Sequence, residues 1–239
     1  MSTRTSFDQQ LQNLSDQVVT MASMVDKAIA RSLEALRLQN VALADEVKRS
    51  DNAINRMHRQ GEENAITLIA LQGPVGSDVR RIASSIAIFS NLERMGDYAA
   101  GIGKIVVEGA NQPLLKPLND IPRMGVIARE MLDSAILAYI KSDPDAARAV
   151  AIRDDELDQL YDDIVTELMQ YMATDPTTIV RATHLLWIAH NLERIGDRVT
   201  NICERVVYIS TGEFEELDTG RKLRQSLSRN GSSDSGMVG

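Results

Sequence analysis

The segment that decides the fold of this chain occurs twice, as NLERMGD at residues 91–97 and as NLERIGD at residues 191–197. Six of the seven positions are identical, and the seventh exchanges one long aliphatic side chain for another. A segment that recurs at a fixed spacing is the sequence signature of a duplicated structural unit. The sequence therefore predicts two copies of one unit, each carrying one such segment.

A second match lies upstream of each segment, with an offset of 103 residues instead of 100. It pairs Asp51 with Asp154, Ile54 with Leu157, and Asn55 with Asp158. The first copy must therefore contain three more residues between the two matches than the second copy. Residues 72–76 (QGPVG) are the place for them, because insertions are tolerated in loops.

Each copy is predicted to contain three helices, since long stretches lack proline and apolar residues recur at helical spacing. The helices are expected at residues 6–39, 41–71 and 75–107 in the first copy, and at 122–141, 143–172 and 176–211 in the second. We predict a three-helix repeat over 6–108, a linker at 109–121 that is rich in proline, glycine and asparagine, and a second repeat over 122–217. Residues 218–239, rich in serine and glycine, are predicted to be a disordered tail. The fold class is all-α, two tandem three-helix bundles resembling spectrin repeats, in an elongated and roughly two-fold pseudo-symmetric molecule.

Composition excludes several classes of protein. The formal net charge is −8 and the pI is about 5.0, which argues against a general nucleic-acid binder. Cys203 is the one cysteine, so no disulfide can form within the chain. No run of about 18 apolar residues is present, so we expect no transmembrane segment. A cytoplasmic location is the natural expectation.

Certain acidic residues fall where a helix should be apolar. In the third and sixth helices the inward stripe continues into Glu93 and Asp97, and into Glu193 and Asp197. Residues four apart lie on the same helix face, so each pair places two like charges together at a cost in stability. Three pairs have this spacing, and a fourth has it with one amide: Glu93/Asp97, Glu193/Asp197, Asp154/Asp158 and Asp51/Asn55.

Cations bridging two such helices would neutralise these pairs. Carboxylate oxygens suit hard ions, so the candidates are Mg, Mn, Ca or Fe. The competing interpretation is that Arg94 and Arg194, which follow each glutamate, form salt bridges with acids on neighbouring helices. Repetition of the pattern in both copies favours the metal.

Two tandem units, each with a Glu-Arg-x-Gly-Asp helix and a second acidic helix, closely resemble the PhoU family over residues 6–217. The resemblance implies a cytoplasmic negative regulator of phosphate uptake and of the phosphate-starvation response. It implies an adaptor, behaving as a homodimer, between a phosphate ABC transporter and a sensor histidine kinase, with peripheral association at the inner membrane through these partners. It also implies two metal sites: Asp51, Asn55, Glu93 and Asp97 in the first copy, and Asp154, Asp158, Glu193 and Asp197 in the second. Asn55 occupies the position in the first copy that Asp158 occupies in the second. The first site therefore has one negative charge fewer and should bind its ion more weakly.

No catalytic machinery is predicted. The three histidines, His58, His184 and His190, are interpreted as structural or surface residues, and Trp187 as core. No nucleophile with a partnering base can be identified, so the chain is expected not to be an enzyme. Two alternatives stay open from the residues alone: a metal-dependent phosphate-ester hydrolase, and a scaffold whose metals only hold helices together.

Overall fold

The structure, a computed structural model, describes residues 3–110 and 112–217, and that part of the chain is helical without β-strands. Its helices are α1 (Thr3–Leu38), α2 (Val41–Gln72), α3 (Ser77–Gly109), α4 (Asp120–Lys141), α5 (Pro144–Ile152), α6 (Asp154–Thr174) and α7 (Ile179–Thr211). A short 3-10 turn, Pro176–Thr178, precedes α7. The tail predicted for residues 218–239 lies outside the described residues.

The helices form two bundles that share one apolar core. Helices α1, α2 and α3 pack on one another, and α4, α5 and α6 pack around α7. The bundles are joined by contacts of α3 with α7 and of α1 with α4. This arrangement confirms the all-α fold with a tandem repeat of three-helix bundles, the middle helix of the second bundle being broken.

Local capping explains where the helices begin. The side chain of Asn40 accepts a hydrogen bond from the Leu43 amide at 3.1 Å, at the start of α2. Asp143 does the same for the amides of Asp145 and Ala146, at 3.1 and 3.0 Å, at the start of α5. Both caps follow a residue in the left-handed region that ends the preceding helix, with φ of 47° at position 39 and 51° at position 142. The same turn therefore occurs in both copies, again at an offset of 103.

The single helix predicted over residues 143–172 is wrong. The chain turns at Arg153, whose amide bonds to the Val150 carbonyl at 3.0 Å, and α6 begins anew at Asp154. Three acids, Asp154 to Glu156, occupy the first turn of α6, where the positive end of the helix dipole stabilises negative charge. The break thus places Asp154 at a helix N-terminus. Four other starts differ from the prediction by two or three residues: α1 begins at Thr3, α3 at Ser77, α4 at Asp120, and α7 at Ile179 after the 3-10 turn over residues 176–178.

Trp187 is not in the core, contrary to the prediction. Its side chain is 55% exposed, and its ring meets the His190 ring edge-on with centroids 5.7 Å apart. The inward stripe of α7 runs through Leu185, Ile188 and Leu192. Trp187 is one residue before Ile188 and so points about 100° away from that stripe.

Helices α3 and α7 cross as an antiparallel pair about a local two-fold axis. Asn201 donates to Asn91 at 3.4 Å, and a methyl group added at Gly101 would lie 3.1 Å from the Asn191 amide nitrogen. Positions 91 and 191 are equivalent in the repeat, as are 101 and 201. Each copy therefore presents the same positions to the other, as in a symmetric dimer.

Candidate functional site

The sequence-predicted acids lie in two clusters, one on each bundle. In the first, Asp51 and Asn55 on α2 face Glu93 and Asp97 on α3. In the second, Asp154 and Asp158 on α6 face Glu193 and Asp197 on α7. Gly96 on α3 faces α2, and Gly196 on α7 faces α6. Each cluster therefore lies within its own bundle, and the two clusters lie on opposite sides of the α3–α7 contact.

Gly96 and Gly196 allow the acid-bearing helices to approach closely. A methyl group at Gly96 would lie 3.2 Å from Asp51 Oδ1, and one at Gly196 would lie 2.5 Å from Asp154 Oδ1. The latter distance is shorter than atoms can approach. The glycine of the repeated segment thus makes room for the aspartate of the neighbouring helix, which gives it a structural role that the sequence analysis missed.

In the first cluster, like charges repel and burial adds to the cost. Burial raises the pKa of Asp51, and repulsion by the Asp97 carboxylate raises it further, whereas a 2.8 Å hydrogen bond from Asn55 lowers it. Burial also raises the pKa of Glu93, with Asp97 contributing next. Both shifts mean that folding disfavours the charged forms of Asp51 and Glu93, through burial first and through repulsion by Asp97 second.

The first cluster also contains buried oxygens without hydrogen bonds. Asp51 Oδ1 and Asn55 Oδ1 are shielded from solvent, and neither accepts a hydrogen bond from any described residue. Such atoms cost free energy unless a donor or a cation satisfies them. Oxygen donors of this kind are those that Mg, Mn, Ca and Fe accept, so the first cluster's donors fit the predicted ions in type.

The second cluster is buried more deeply. The Glu193 side chain is 6% exposed and that of Asp197 is 10% exposed, against 22% for Glu93 and 40% for Asp97. Asp154 accepts a hydrogen bond from the Thr200 hydroxyl at 3.2 Å, and Asp158 lies half-buried one turn further along α6. The second cluster therefore carries more charge in a drier environment than the first.

The arginines that follow each glutamate contact the aspartate of their own helix. Arg94 lies 3.6 Å from Asp97 and 3.8 Å from Glu93, whereas Arg194 lies 2.7 Å from Asp197. Arg194 also hydrogen-bonds to Tyr98 on α3. These salt bridges lie within the motif's own helix, whereas the competing interpretation places them with acids of the neighbouring helices. They leave Asp51, on α2, without an arginine partner among the described residues.

The acids are neighbours in each cluster but are not gathered at coordination distance. Across residues 3–110 and 112–217, no three side chains from histidine, cysteine, aspartate and glutamate form a group that could hold a metal ion as they stand. Metal binding would thus need the side chains to turn toward a shared cation. The eight metal-site assignments remain predictions.

His58 is a neighbour of the first cluster that the sequence analysis treated as structural. Its Nε2 atom is buried without a hydrogen bond to any described residue and lies 3.6 Å from Glu62 Oε1. Its charge also acts on Glu93, whose pKa it lowers. The second cluster also has a neighbouring histidine, His190, which lies 3.7 Å from Glu193. His190 is on α7, the helix of the repeated segment, whereas His58 is on α2. The two histidines are not repeat equivalents, so the repeat pattern offered no signal for them.

The fold and these clusters define an all-α tandem-repeat protein with one acidic site on each bundle. The sequence model of the PhoU domain matches twice, over residues 18–106 and 121–206. The chain is 35% identical over 217 residues to the phosphate-specific transport system accessory protein PhoU homolog of Clostridium acetobutylicum, covering 90% of this chain and 99% of that one. It is 39% identical over 205 residues to the homolog of Aquifex aeolicus, with 86% and 93% covered.

Two solved structures are similar over nearly their whole length. The phosphate transport system regulatory protein PhoU from Streptococcus pneumoniae has a TM-score of 0.81 at 31% identity, covering 87% of this chain and 99% of that one. PhoU from Pseudomonas aeruginosa has a TM-score of 0.83 at 30% identity, with 87% and 100% covered. The chain therefore belongs to the PhoU family. No helix among the described residues is both long enough and apolar enough to cross a membrane.

Proposed function

We propose that this protein is a cytoplasmic, non-catalytic negative regulator of phosphate uptake and of the phosphate-starvation response. It acts as an adaptor, a homodimer in its working form, between a phosphate ABC transporter and a sensor histidine kinase at the inner membrane. The observation that carries the proposal is the match over both repeats to proteins named as accessory and regulatory components of phosphate transport. A regulator needs stable, specific surfaces, and a tandem bundle supplies them without catalytic groups.

The acidic clusters are proposed to bind divalent or iron-type cations, with Mg, Mn, Fe or Ca as the candidates. Support comes from the raised pKa values of Asp51 and Glu93 and from the buried, unsatisfied Asp51 Oδ1. A bound cation would neutralise the negative charge of these carboxylates and so relieve their mutual repulsion. The chain's own contribution is geometric, because Gly96 and Gly196 let α2 and α6 lie close to the acids of α3 and α7.

The clusters couple ion binding to helix packing. Each joins the two helices that form one side of a bundle, so neutralising it should stiffen the contact of α2 with α3, or of α6 with α7. A partner that recognises this helix pair would then bind the ion-loaded form more tightly. Regulation would follow from the shape of the bundle, with no chemical step on the protein.

The adaptor role is tested in a host that lacks the chromosomal copy, with a reporter of the phosphate-starvation response at high phosphate. The wild-type chain is expected to restore repression and to recover both the sensor kinase and the transporter in a pull-down. Recovery of neither partner, or an unrepressed reporter despite normal expression, would contradict the adaptor. Hydrolysis of a phosphate ester that disappears in Glu93→Ala and in Glu193→Ala would instead establish an enzyme.

A further inference from the structure

An open groove of about 500 Å³ lies at one end of the molecule. Its walls are the first turns of α3, the C-terminal ends of α4 and α7, and the N-terminal half of α1. None of its lining residues belongs to either acidic cluster, and the proposed function does not use it. A groove of this volume can hold several side chains of a bound segment.

The internal repeat relates this open groove to a second one at the opposite end of α3 and α7. Equivalent residues line both, namely Arg81 and Arg181, Tyr139 and Leu36, and Ser142 and Gln39. The cavity that remains in the second groove is only about 40 Å³. Something therefore fills the second groove that does not fill the first.

The chain's own linker fills the second groove. Gln39 donates to the backbone carbonyl of Gln112 at 2.9 Å, and Leu114 and Leu115 pack against the core. Lys116, the next residue, forms an ion pair with Glu167. The second groove thus accepts a non-helical segment in which two adjacent leucines are followed by a lysine.

In the first groove the corresponding stretch of chain is helical. Residues 8–16 of α1 are equivalent to 111–119 at the offset of 103, but they belong to a straight helix. A helix cannot fill the space between its neighbours as the non-helical linker does, because its backbone groups are hydrogen-bonded within the helix. The groove between α1 and the α3–α7 pair is therefore left open.

The open groove combines an apolar surface with several carboxylates. Leu11, Val19, Ile140 and Ile209 supply the apolar part. The described residues that line it include three aspartates, Asp8, Asp16 and Asp78, and one arginine, Arg81, which donates to the Ser142 hydroxyl at 3.3 Å. Charge complementarity favours a cationic occupant with aliphatic side chains.

We propose that this groove binds an extended segment of a partner protein in which two adjacent aliphatic residues precede a lysine or arginine. The segment would lie as the linker does in the related groove. Its aliphatic side chains would cover the apolar surface, and its basic residue would reach the carboxylates on α1. The Ser142 hydroxyl takes the place of the Gln39 amide as a donor to the segment's backbone.

The test uses a fluorescently labelled peptide with the sequence of residues 112–118, QPLLKPL, and fluorescence anisotropy with the full chain. Saturable binding is expected. Asp16→Lys should weaken it by about tenfold or more, since the loss of one favourable charge contact and the gain of a repulsive one together exceed about 1.4 kcal/mol. Ser15→Trp, which fills the groove from α1, should abolish it. Glu63→Lys, an exposed charge reversal on α2, is the matched control and should bind as the wild type does.

Three results would overturn the proposal. One is the absence of saturable binding by the wild type at peptide concentrations up to about 1 mM, the weak end of specific association. Another is equal binding by Asp16→Lys, Glu63→Lys and the wild type. The last is equal binding of a peptide whose two leucines are replaced by serine, which would show that the groove attracts charge alone. Circular dichroism melts of each variant establish that it is folded before binding is compared.

Discussion

Asp26 and Arg129 occupy equivalent positions in the two repeats and bind each other. Arg129 Nε donates to Asp26 Oδ1 at 2.6 Å and Nη2 donates to Oδ2 at 3.0 Å, and the two positions are separated by the same 103 residues as the caps Asn40 and Asp143. The pair therefore lies at the local two-fold axis, where α1 meets α4. Two aspartates or two arginines here would repel, so the unlike pair stabilises the packing of one bundle on the other.

Breaking this pair should loosen the contact between the bundles. Arg129→Ala is expected to lower the free energy of unfolding by about 1 kcal/mol, because a bidentate charged pair is lost at a site that solvent only partly screens. The exchange Asp26→Arg with Arg129→Asp should recover most of the loss, since the axis makes the two positions similar. Urea unfolding of the wild type, Asp26→Arg, Arg129→Asp and the double exchange forms a double-mutant cycle that measures the coupling. Additive effects of the single changes would show that the contact contributes nothing.

Asp133, next to this pair, predicts a pH dependence. Partial desolvation raises the pKa of Asp133, although the residue is exposed; repulsion by Asp26 raises it further, and Arg129 lowers it. The folded state thus binds the proton more tightly than the unfolded state, and the stability from this group is lost as pH rises from 3.8 through the raised folded-state value. Asp133→Asn should therefore gain stability relative to the wild type across that window and keep the gain at neutral pH.

The check is the melting temperature of Asp133→Asn and of the wild type at matched pH values from about 3.5 to 7. Glu34→Gln, at an exposed position on α1, serves as the control. A difference between Asp133→Asn and the wild type that stays constant across this range, or that shrinks as pH rises, would contradict the assigned direction.

The motif glycines should respond unequally to alanine. At Gly196 an added methyl would meet Leu157 Cδ2 at 2.4 Å and Asp154 Oδ1 at 2.5 Å, whereas at Gly96 the nearest atom is the flexible end of Ile54 at 3.0 Å. Overpacking costs about 1–3 kcal/mol, and alanine recovers about 1 kcal/mol of helix propensity. We expect Gly196→Ala to destabilise clearly and Gly96→Ala to be close to neutral in thermal unfolding. The reverse order would show that α6 moves away from α7 more easily than α2 moves from α3.

The sequence was sufficient for the elements whose signals are local. The caps Asn40 and Asp143 follow from residue type and position, and the repeated segments fixed the duplication. The turn at Arg153 could not be predicted, because residues 144–172 contain neither glycine nor an internal proline and every residue is compatible with a helix. Docking on the motif glycine does not explain the turn either, because α2 docks on Gly96 in the same way and continues without a break.

The acid pairs were predicted from spacing, but their environments were not. Nothing in the repeated segment distinguishes Glu93 from Glu193. The side chain of Glu193 is nevertheless 6% exposed, against 22% for Glu93, because the surrounding helices cover it more completely. His58 was missed for a related reason, since its repeat equivalent is Tyr161 and only the approach of α2 to α3 brings it near Glu93. Burial and cross-helix proximity depend on the packing of whole bundles, which periodicity does not encode.

The two clusters should differ in cation affinity, and exchanging one residue should reduce the difference. Asn55 gives the first cluster one carboxylate fewer than the second, which has Asp158 at the equivalent position. Asn55→Asp should tighten binding of Mn or Mg to the first cluster by about tenfold, as one added charge contact near a partly buried ion contributes roughly 1–2 kcal/mol. Asp158→Asn should weaken the second cluster correspondingly. Titration calorimetry on protein stripped of metal measures both.

Cation content provides the decisive control for this prediction. Elemental mass spectrometry on protein purified without chelator should find ions in the wild type. It should find fewer in the double variant Glu93→Ala/Asp97→Ala and in the double variant Glu193→Ala/Asp197→Ala.

His58→Gln should lower the first cluster's affinity for Fe or Mn more than for Mg, because an imidazole nitrogen favours transition metals. If the wild type stays free of metal after incubation with Mg, Mn, Fe and Ca salts, Glu93, Asp97 and Asp197 serve only as partners of Arg94 and Arg194. In that case Asp51→Asn should stabilise the fold by removing the repulsion from Asp97, with no ion involved.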